Sequence, residues 1–219
     1  TVRELCLRIL ARGDLEAKLA PPPHGLCDAA PGPALCMARP ARDPGLSLGS
    51  GAARLPRPGA LHAAEARARC LARFAHHELM AVELFAWALL RWPDLPPPLR
   101  AAWLGVLADE QRHCRMYLER LKAHGSSLEE HPRSDYFWKN ADAIASSPHG
   151  PKAFLCAMGL TLEQANLDFA GLYAEGFRAA GDAASAAVCA AVHRDEERHV
   201  RIAARWLVTL SGDGSDDAD

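Results

Sequence analysis

Hydrophobic residues recur every three to four positions in five segments of the chain, which is the spacing of one buried face of an α-helix. The first segment covers residues 1–20, where Thr1 and Glu4 have the spacing of a capping box. The four longer segments run from about residue 61 to 92, from the proline-rich 92–98 to 123, from 151 to 180, and from 182 to 210. The pattern therefore predicts an all-α protein with a short N-terminal helix and an antiparallel four-helix bundle.

The segments between these helices differ in composition. Residues 21–60 hold nine of the 16 prolines and six of the 16 glycines, which excludes regular structure over most of this length. We interpret them as an arm packed on the bundle, with a flexible linker as the alternative. Residues 124–150 form a long crossover between the second and third bundle helices, with a short helix near 136–144. The predicted organisation is residues 1–60 as helix and arm, 61–211 as the bundle, and 212–219 as a disordered acidic tail.

One short motif occurs twice in the long helical segments. Residues 109–113 read Asp-Glu-Gln-Arg-His and residues 195–199 read Asp-Glu-Glu-Arg-His. Helical residues three positions apart share one face, so each copy directs a carboxylate and an imidazole to the same point. Two such pairs with one more Glu from each remaining helix would form the carboxylate-rich di-metal site of a four-helix bundle.

Two acids on the apolar faces of the other helices complete this set. Glu78 precedes the 92–98 turn by about as many residues as His113 follows it, and Glu163 and His199 have the same relation to Gly181. Residues equidistant from a tight turn lie at the same depth of an antiparallel pair. Four unpaired acids in one core would be costly, and two divalent metal ions remove that cost. The predicted metal ligands are Glu78, Glu110, His113, Glu163, Glu196 and His199.

Other polar residues near these ligands have supporting assignments. We expect Asp109 and Asp195 each to bond the ligand histidine of the other helix, because a ligating imidazole usually donates its second N–H to a carboxylate. Arg112 and Arg198 would bond those Asp side chains, with ordinary surface charge as the alternative. Asp168, a further acid of the third bundle helix, is better interpreted as a solvent-exposed acid than as a metal ligand.

Three further residues keep two interpretations each. His193, one turn before Glu196, is either an additional metal ligand or a core histidine. Tyr117 is either a redox neighbour of the metals or a packing residue. Glu83 lies among apolar neighbours, either near the metal site or at a subunit contact.

Composition narrows the class of protein. The formal charge is −2 over 219 residues, so no electrostatic footprint for nucleic acid or membrane is evident. The seven cysteines include no Cys-x-x-Cys pair, which argues against a disulfide framework and favours a reducing cytoplasm. The longest uncharged apolar run, residues 84–90, is far too short to span a membrane.

The motifs resemble the ferritin-like carboxylate-bridged di-iron superfamily, and the repeated Asp-Glu-x-Arg-His is similar to that of its bacterial multicomponent monooxygenases. A closer resemblance is to a group of bacterial ferritin-like proteins defined as domain of unknown function 455. It rests on residues 76–84 (HHELMAVEL), 108–113 (ADEQRH), 162–163 (LE) and 194–200 (RDEERHV). The resemblance implies the ferritin-like bundle and the same six ligands, and it implies no substrate.

The ligand types lead to a functional hypothesis. Carboxylates and imidazoles without thiolates suit two iron ions, or iron and manganese, better than zinc. Such an ion pair can activate dioxygen, so we expect an oxidoreductase that oxidises or hydroxylates a small molecule with electrons from an unidentified donor. The alternatives are a ferroxidase or iron-handling protein, a tRNA-modifying hydroxylase that would need a basic face, and a metal-free bundle. A homodimer is compatible with the sequence.

Overall fold

The chain is all-helical in the computed structural model, which describes residues 1–49 and 54–212 and contains no β-strand among them. None of the helices in these two ranges combines the length and the apolarity that crossing a membrane requires. The α-helices are α1 Val2–Ala11, α2 Leu15–Leu19, α3 Ala64–Arg91, α4 Pro97–Ala123, α5 Ala141–Ser146, α6 Pro151–Phe154, α7 Glu163–Ala179 and α8 Ala183–Ser211; a π-helical segment, Leu155–Leu162, joins α6 to α7.

Helices α3 and α4 form an antiparallel pair around a short proline-rich turn. Close to the turn, Arg100 donates to the Leu89 carbonyl at 2.8 Å. Far from it, the Cys114 thiol donates to the Ala75 carbonyl at 3.2 Å. Because the contact positions fall in α3 as they rise in α4, the two helices run in opposite directions, as the sequence predicted.

Helices α7 and α8 form a second antiparallel pair. Gly181 has φ +79° in the turn, a conformation that glycine adopts without strain. Asp182 then caps α8 by accepting a hydrogen bond from the Ser185 N–H at 3.0 Å. The turn therefore lies at Gly181, where the sequence analysis placed it. Arg120 near the end of α4 donates to the Ser185 hydroxyl at 3.1 Å, which packs α8 against α4.

Helices α3 and α7 also contact each other. The rings of Phe74 and Tyr173 meet edge to face with centroids 5.1 Å apart. Toward the other end of α7, Asn166 donates to Glu78 at 3.3 Å. This pair is again antiparallel, because positions rise in α3 as they fall in α7.

Three local predictions were incomplete. The 1–20 segment forms two helices rather than one, because Asp14 starts a new helix by accepting from the Ala17 N–H at 2.8 Å. The crossover helix is Ala141–Ser146, preceded by a 3₁₀ turn at Trp138–Asn140. The 151–180 helix contains the π-helical segment, which hydrophobic periodicity does not distinguish from an α-helix.

In the part that the structure describes, the arm forms hydrogen bonds with α1, α3, α4 and α7. The Leu35 N–H donates to the Leu90 carbonyl at 3.0 Å, and the Trp87 indole donates to the Met37 carbonyl at 3.1 Å. Residues 50–53 lie outside the described ranges, as does the predicted acidic tail apart from Gly212. The division into arm, bundle and tail stays a prediction.

Glu83 holds the arm and the crossover to α3. Its carboxylate is fully buried and accepts two hydrogen bonds from Arg42, at 3.0 and 2.8 Å. Lys18 of α2 lies 2.9 Å away, also fully buried, and the Trp138 indole donates at 3.0 Å. The sequence assigned Glu83 to the surroundings of the metals or to a subunit contact. The structure places Glu83 in a buried ion cluster with Lys18 and Arg42, and both assignments stay predictions.

Replacing this carboxylate should therefore destabilise the fold. Glu83→Gln leaves Lys18 and Arg42 buried without a negative partner, and we expect it to lower the free energy of unfolding by about 3 kcal/mol. Urea unfolding followed by circular dichroism measures the change. The control is Glu65→Gln on the same helix, because Glu65 is exposed and its ion pair with Arg69 is long, at 3.8 Å. Equal stabilities of the two variants would contradict the proposed role of the cluster.

Candidate metal centre

The structure brings the six predicted ligands together in the interior. All six side chains are buried, and they come from α3, α4, α7 and α8. Their donor atoms form two groups, and within each group these atoms lie within 4.8 Å of one another. The first group is Glu78, Glu110, His113 and Glu196, and the second is Glu110, Glu163, Glu196 and His199. Glu110 and Glu196 belong to both groups.

The three-residue spacing on α4 and α8 places each imidazole beside the shared carboxylates. Nδ1 of His199 lies 2.9 Å from Oε2 of Glu196 and 3.1 Å from Oε1 of Glu110. Nδ1 of His113 lies 3.7 Å from one oxygen of each of these carboxylates. The two histidines therefore present the same ring nitrogen to the same pair of acids.

The other nitrogen of each ring faces an aspartate on the opposite helix. Nε2 of His113 lies 3.2 Å from Asp195, and Nε2 of His199 lies 3.2 Å from Asp109. These are the cross-helix contacts predicted from the sequence. Hydrogen bonding to His113 holds the pKa of Asp195 well below its usual value, so this carboxylate is ionised. Each Asp can therefore accept the Nε2 proton, which leaves Nδ1 free to bind a cation.

Both predicted arginines contact these aspartates. Arg112 donates to Asp109 at 2.7 Å and to Asp195 at 3.0 Å, so it links α4 with α8. Arg198 forms an ion pair with Asp109. The arginines are partly exposed, which places the Asp and Arg residues between the buried acids and solvent.

The acids of the cluster repel one another. Burial, together with the charge of Glu110, raises the pKa of Glu78 well above its usual value. Burial and Glu196 do the same to the pKa of Glu163. Burial also opposes ionisation of Glu110, but His113, His199 and Glu78 together more than offset it, and the pKa of Glu110 falls. In return, Glu110 raises the pKa of His113 to about 9 despite burial. The two imidazoles thus offset the charge of the shared acids, Glu110 and Glu196. Among the described residues, no cationic side chain forms an ion pair with Glu78 or Glu163.

Several donor atoms of the cluster have no hydrogen bond from the residues that the structure describes. They are both oxygens of Glu110, Oε1 of Glu163 and Nδ1 of His113, and all are buried. The nearby Nδ1 of His199 forms its hydrogen bond with Glu196 instead. Buried polar atoms without partners are rare and need an explanation. Unpaired oxygens and an imidazole nitrogen within 4.8 Å fit a pair of divalent metal ions.

Asn166 is a site residue that the sequence analysis missed. Its amide donates to Glu196 at 2.7 Å and to Glu78 at 3.3 Å, so it holds acids from two helices together. A signal was present, because Asn166 follows Glu163 by three residues, the same spacing as in the two Glu-x-x-His pairs.

A cavity of about 320 Å³ adjoins the cluster on the side of α3 and α7. Glu78, Glu163 and Asn166 form part of its wall, and most of the rest is apolar. Tyr136 and Phe137 of the crossover cover it. The crossover folds over the helices only in the tertiary structure, so helical periodicity could not predict this cavity.

His193 and Tyr117, which each had two interpretations from sequence, lie in different surroundings. His193 lies against Gly171 of α7, outside both groups of converging side chains. Tyr117 is fully buried, with its hydroxyl 3.9 Å from the Cys189 sulfur and its ring centroid 5.3 Å from that of Phe74. Burial raises the pKa of Tyr117 well above its usual value, so the phenol stays neutral.

Comparison with known proteins places most of the chain in one family. A family model described as "Protein of unknown function (DUF455)" matches residues 10–218. No curated protein and no solved structure matches the chain.

The charge imbalance generates a prediction. Glu78→Gln keeps the side-chain shape and removes one of four crowded acids, so it should raise the free energy of unfolding of the metal-free protein by about 1 kcal/mol. The same variant should lose most of the stabilisation that bound metal gives, which is about 2.7 kcal/mol at a hundredfold excess over the dissociation constant. Thermal unfolding with and without Fe(II) under nitrogen measures both effects.

The control is Asp168→Asn, which removes an acid from the exposed face of α7. It should respond to metal as the unmodified protein does. Glu78→Gln would contradict the metal assignment if it kept the full metal-dependent stabilisation.

Proposed function

Because the chain belongs to the DUF455 family, whose description assigns no activity, we propose from the site itself that the protein is a di-metal oxidoreductase that uses dioxygen to oxidise a small molecule. The observation that carries the proposal is that two four-residue groups share Glu110 and Glu196. Each group then adds one Glu and one His of its own. That distribution supports a site for two ions, which Glu110 and Glu196 would share, rather than one ion with six ligands.

The helix directions support a ferritin-like four-helix bundle. Each of α3, α4, α7 and α8 is antiparallel to its two neighbours in the ring, judged from the side-chain contacts between them. The connection from α4 to α7 is long, while the α3–α4 and α7–α8 turns are short. Two hairpins joined by one long crossover are the topology of ferritin-like proteins.

The donor set favours iron or manganese. Four carboxylates and two imidazole nitrogens are hard or borderline ligands, and no cysteine belongs to either group. Glu78 and His113 would bind one ion, and Glu163 and His199 the other. When bound, such an ion pair supplies the reduction of dioxygen and the oxidation of a substrate beside it.

The protein's own residues have three roles in this proposal. Asp109 and Asp195 fix the orientation of the imidazoles, so Nδ1 of each ring faces inward. Asn166 keeps the Glu78 and Glu196 carboxylates at a fixed separation. The buried helix faces exclude water from the cluster, which strengthens the electrostatic interactions inside it.

The cavity supports an organic substrate rather than iron storage. Its volume lies at the lower end of the range for small-molecule sites, and its wall includes one unshared acid from each group, Glu78 and Glu163. Iron handling alone needs a path for ions, which polar walls would serve better than a largely apolar cavity.

Metal loading and oxygen uptake test this function. The protein loaded with Fe(II) under nitrogen should retain about two ions per chain and should consume dioxygen when mixed with aerobic buffer. Glu110→Ala removes a ligand common to both groups, so we expect it to reduce retained iron below one ion and oxygen uptake by roughly tenfold or more. Asp168→Asn is the control and should behave as the unmodified protein.

Two outcomes would contradict the proposal. Iron-loaded protein that is inert to dioxygen would exclude the oxidoreductase. Oxygen uptake that scales with a large excess of added Fe(II), together with a shell-sized particle in size-exclusion chromatography, would indicate a ferroxidase instead.

A further inference from the structure

The cavity beside the cluster has a polar end that the proposed metal chemistry does not use. Arg73, His77 and Ala81 of α3 line it and follow one another at intervals of four residues, so they form one stripe along the helix. Glu78 lies five residues beyond Arg73, which corresponds to about 7.5 Å of helix rise. A cationic side chain and the candidate metal ligands thus face the same space.

Arg73 is half-buried and has no acidic partner. One of its guanidinium nitrogens donates to the Ser134 hydroxyl at 3.2 Å. No carboxylate of the described residues lies within ion-pair distance of it, although most buried arginines in proteins are paired. Burial lowers the pKa of Arg73, because the charged form has lost part of its water. A half-buried guanidinium at a cavity wall, with no carboxylate of the described residues beside it, is suited to bind a ligand carboxylate through two hydrogen bonds.

His77 adds a second polar group at the same end. Its Nε2 atom is buried and has no hydrogen-bond partner in the described part of the chain. The ring stacks on Phe137, with centroids 5.3 Å apart, so its orientation is fixed by packing. Buried polar atoms are normally satisfied, and a ligand in the cavity would supply the missing partner.

Much of the remaining wall is apolar. Met158, Leu162 and Phe169 of the π-helical segment and α7 line it opposite α3. Phe169 is 43% exposed, so part of its apolar surface is free to contact a ligand. An apolar wall with polar groups at one end is the usual arrangement of a small-molecule site.

We propose that this cavity binds a small organic acid, with its carboxylate at Arg73 and His77 and its apolar or aromatic body over Glu78 and Glu163. The inference rests on the proposed function, because it names the substrate class of the same site. The charge at one end would fix the orientation of the substrate, so the atoms to be oxidised lie beside the two unshared acids.

Calorimetric titration with two probes of the same shape tests the proposal. 4-Phenylbutyrate carries a carboxylate, and 4-phenylbutanamide replaces it by a neutral amide. We expect metal-loaded protein, kept free of dioxygen, to bind the acid at least about tenfold more tightly than the amide. Arg73→Gln should reduce this ratio to about one without weakening the amide, and Arg73→Lys, which keeps the charge but loses the bidentate geometry, should retain only part of it.

Two controls separate the Arg73 effect from others. Arg69→Gln removes a charge one turn away on the same helix, where Arg69 is partly exposed and pairs with Glu65, and it should leave the ratio unchanged. Thermal unfolding of each variant establishes that it is folded. Repeating the titration with metal-free protein shows whether the acid binds Arg73 or the metal ions.

A preference for the acid that persists in Arg73→Gln, or that disappears on metal removal, would overturn the proposal. So would equal affinity for the two probes in the unmodified protein. The proposed function can fail separately: protein that prefers the acid through Arg73 but retains no iron would keep the organic-acid site and exclude the di-metal oxidoreductase.

Discussion

Burial of four carboxylates in one helical core is the constraint on which the rest of the structure depends. An unpaired charge in the protein interior costs several kcal/mol, so every such group needs compensation. Glu110 and Glu196 obtain part of it from His113 and His199. No basic side chain of the described residues forms an ion pair with Glu78 or Glu163, and burial raises the pKa of both. The cluster is therefore short of positive charge, which a pair of divalent cations would supply.

The same chain contains another buried acid, whose charge is compensated by cations of the protein. Glu83, five residues after Glu78 on α3, receives Lys18, Arg42 and the Trp138 indole from three other segments. Its charge is neutralised by the protein itself. The ion cluster attaches the arm and the crossover to α3. The comparison indicates that burial alone does not mark a metal ligand in this fold. What distinguishes the central cluster is that its four converging acids have only two imidazoles beside them among the described residues.

Much of the site could be predicted from sequence, because its signals are local or follow from helix geometry. The three-residue Glu-to-His spacing and the equal distances of Glu78 and His113 from a short turn are enough to place ligands. Glu83 could not be separated from them, since its partners come from 41 to 65 residues away and only the tertiary structure brings them together. The π-helical segment before Glu163 was missed for a related reason, because a widened turn leaves the hydrophobic pattern nearly unchanged.

The two helix pairs contribute different things to the centre. Helices α4 and α8 supply both histidines and the Asp and Arg residues behind them, so this side orients the ligands and faces partly exposed charges. Helices α3 and α7 supply the unshared acids and the cavity wall. A Cβ at Gly159 would overlap that of Ala203, so the π-helical segment packs closely on α8 just before Glu163. This close packing fixes the start of α7, and with it the position of Glu163 between the cluster and the cavity.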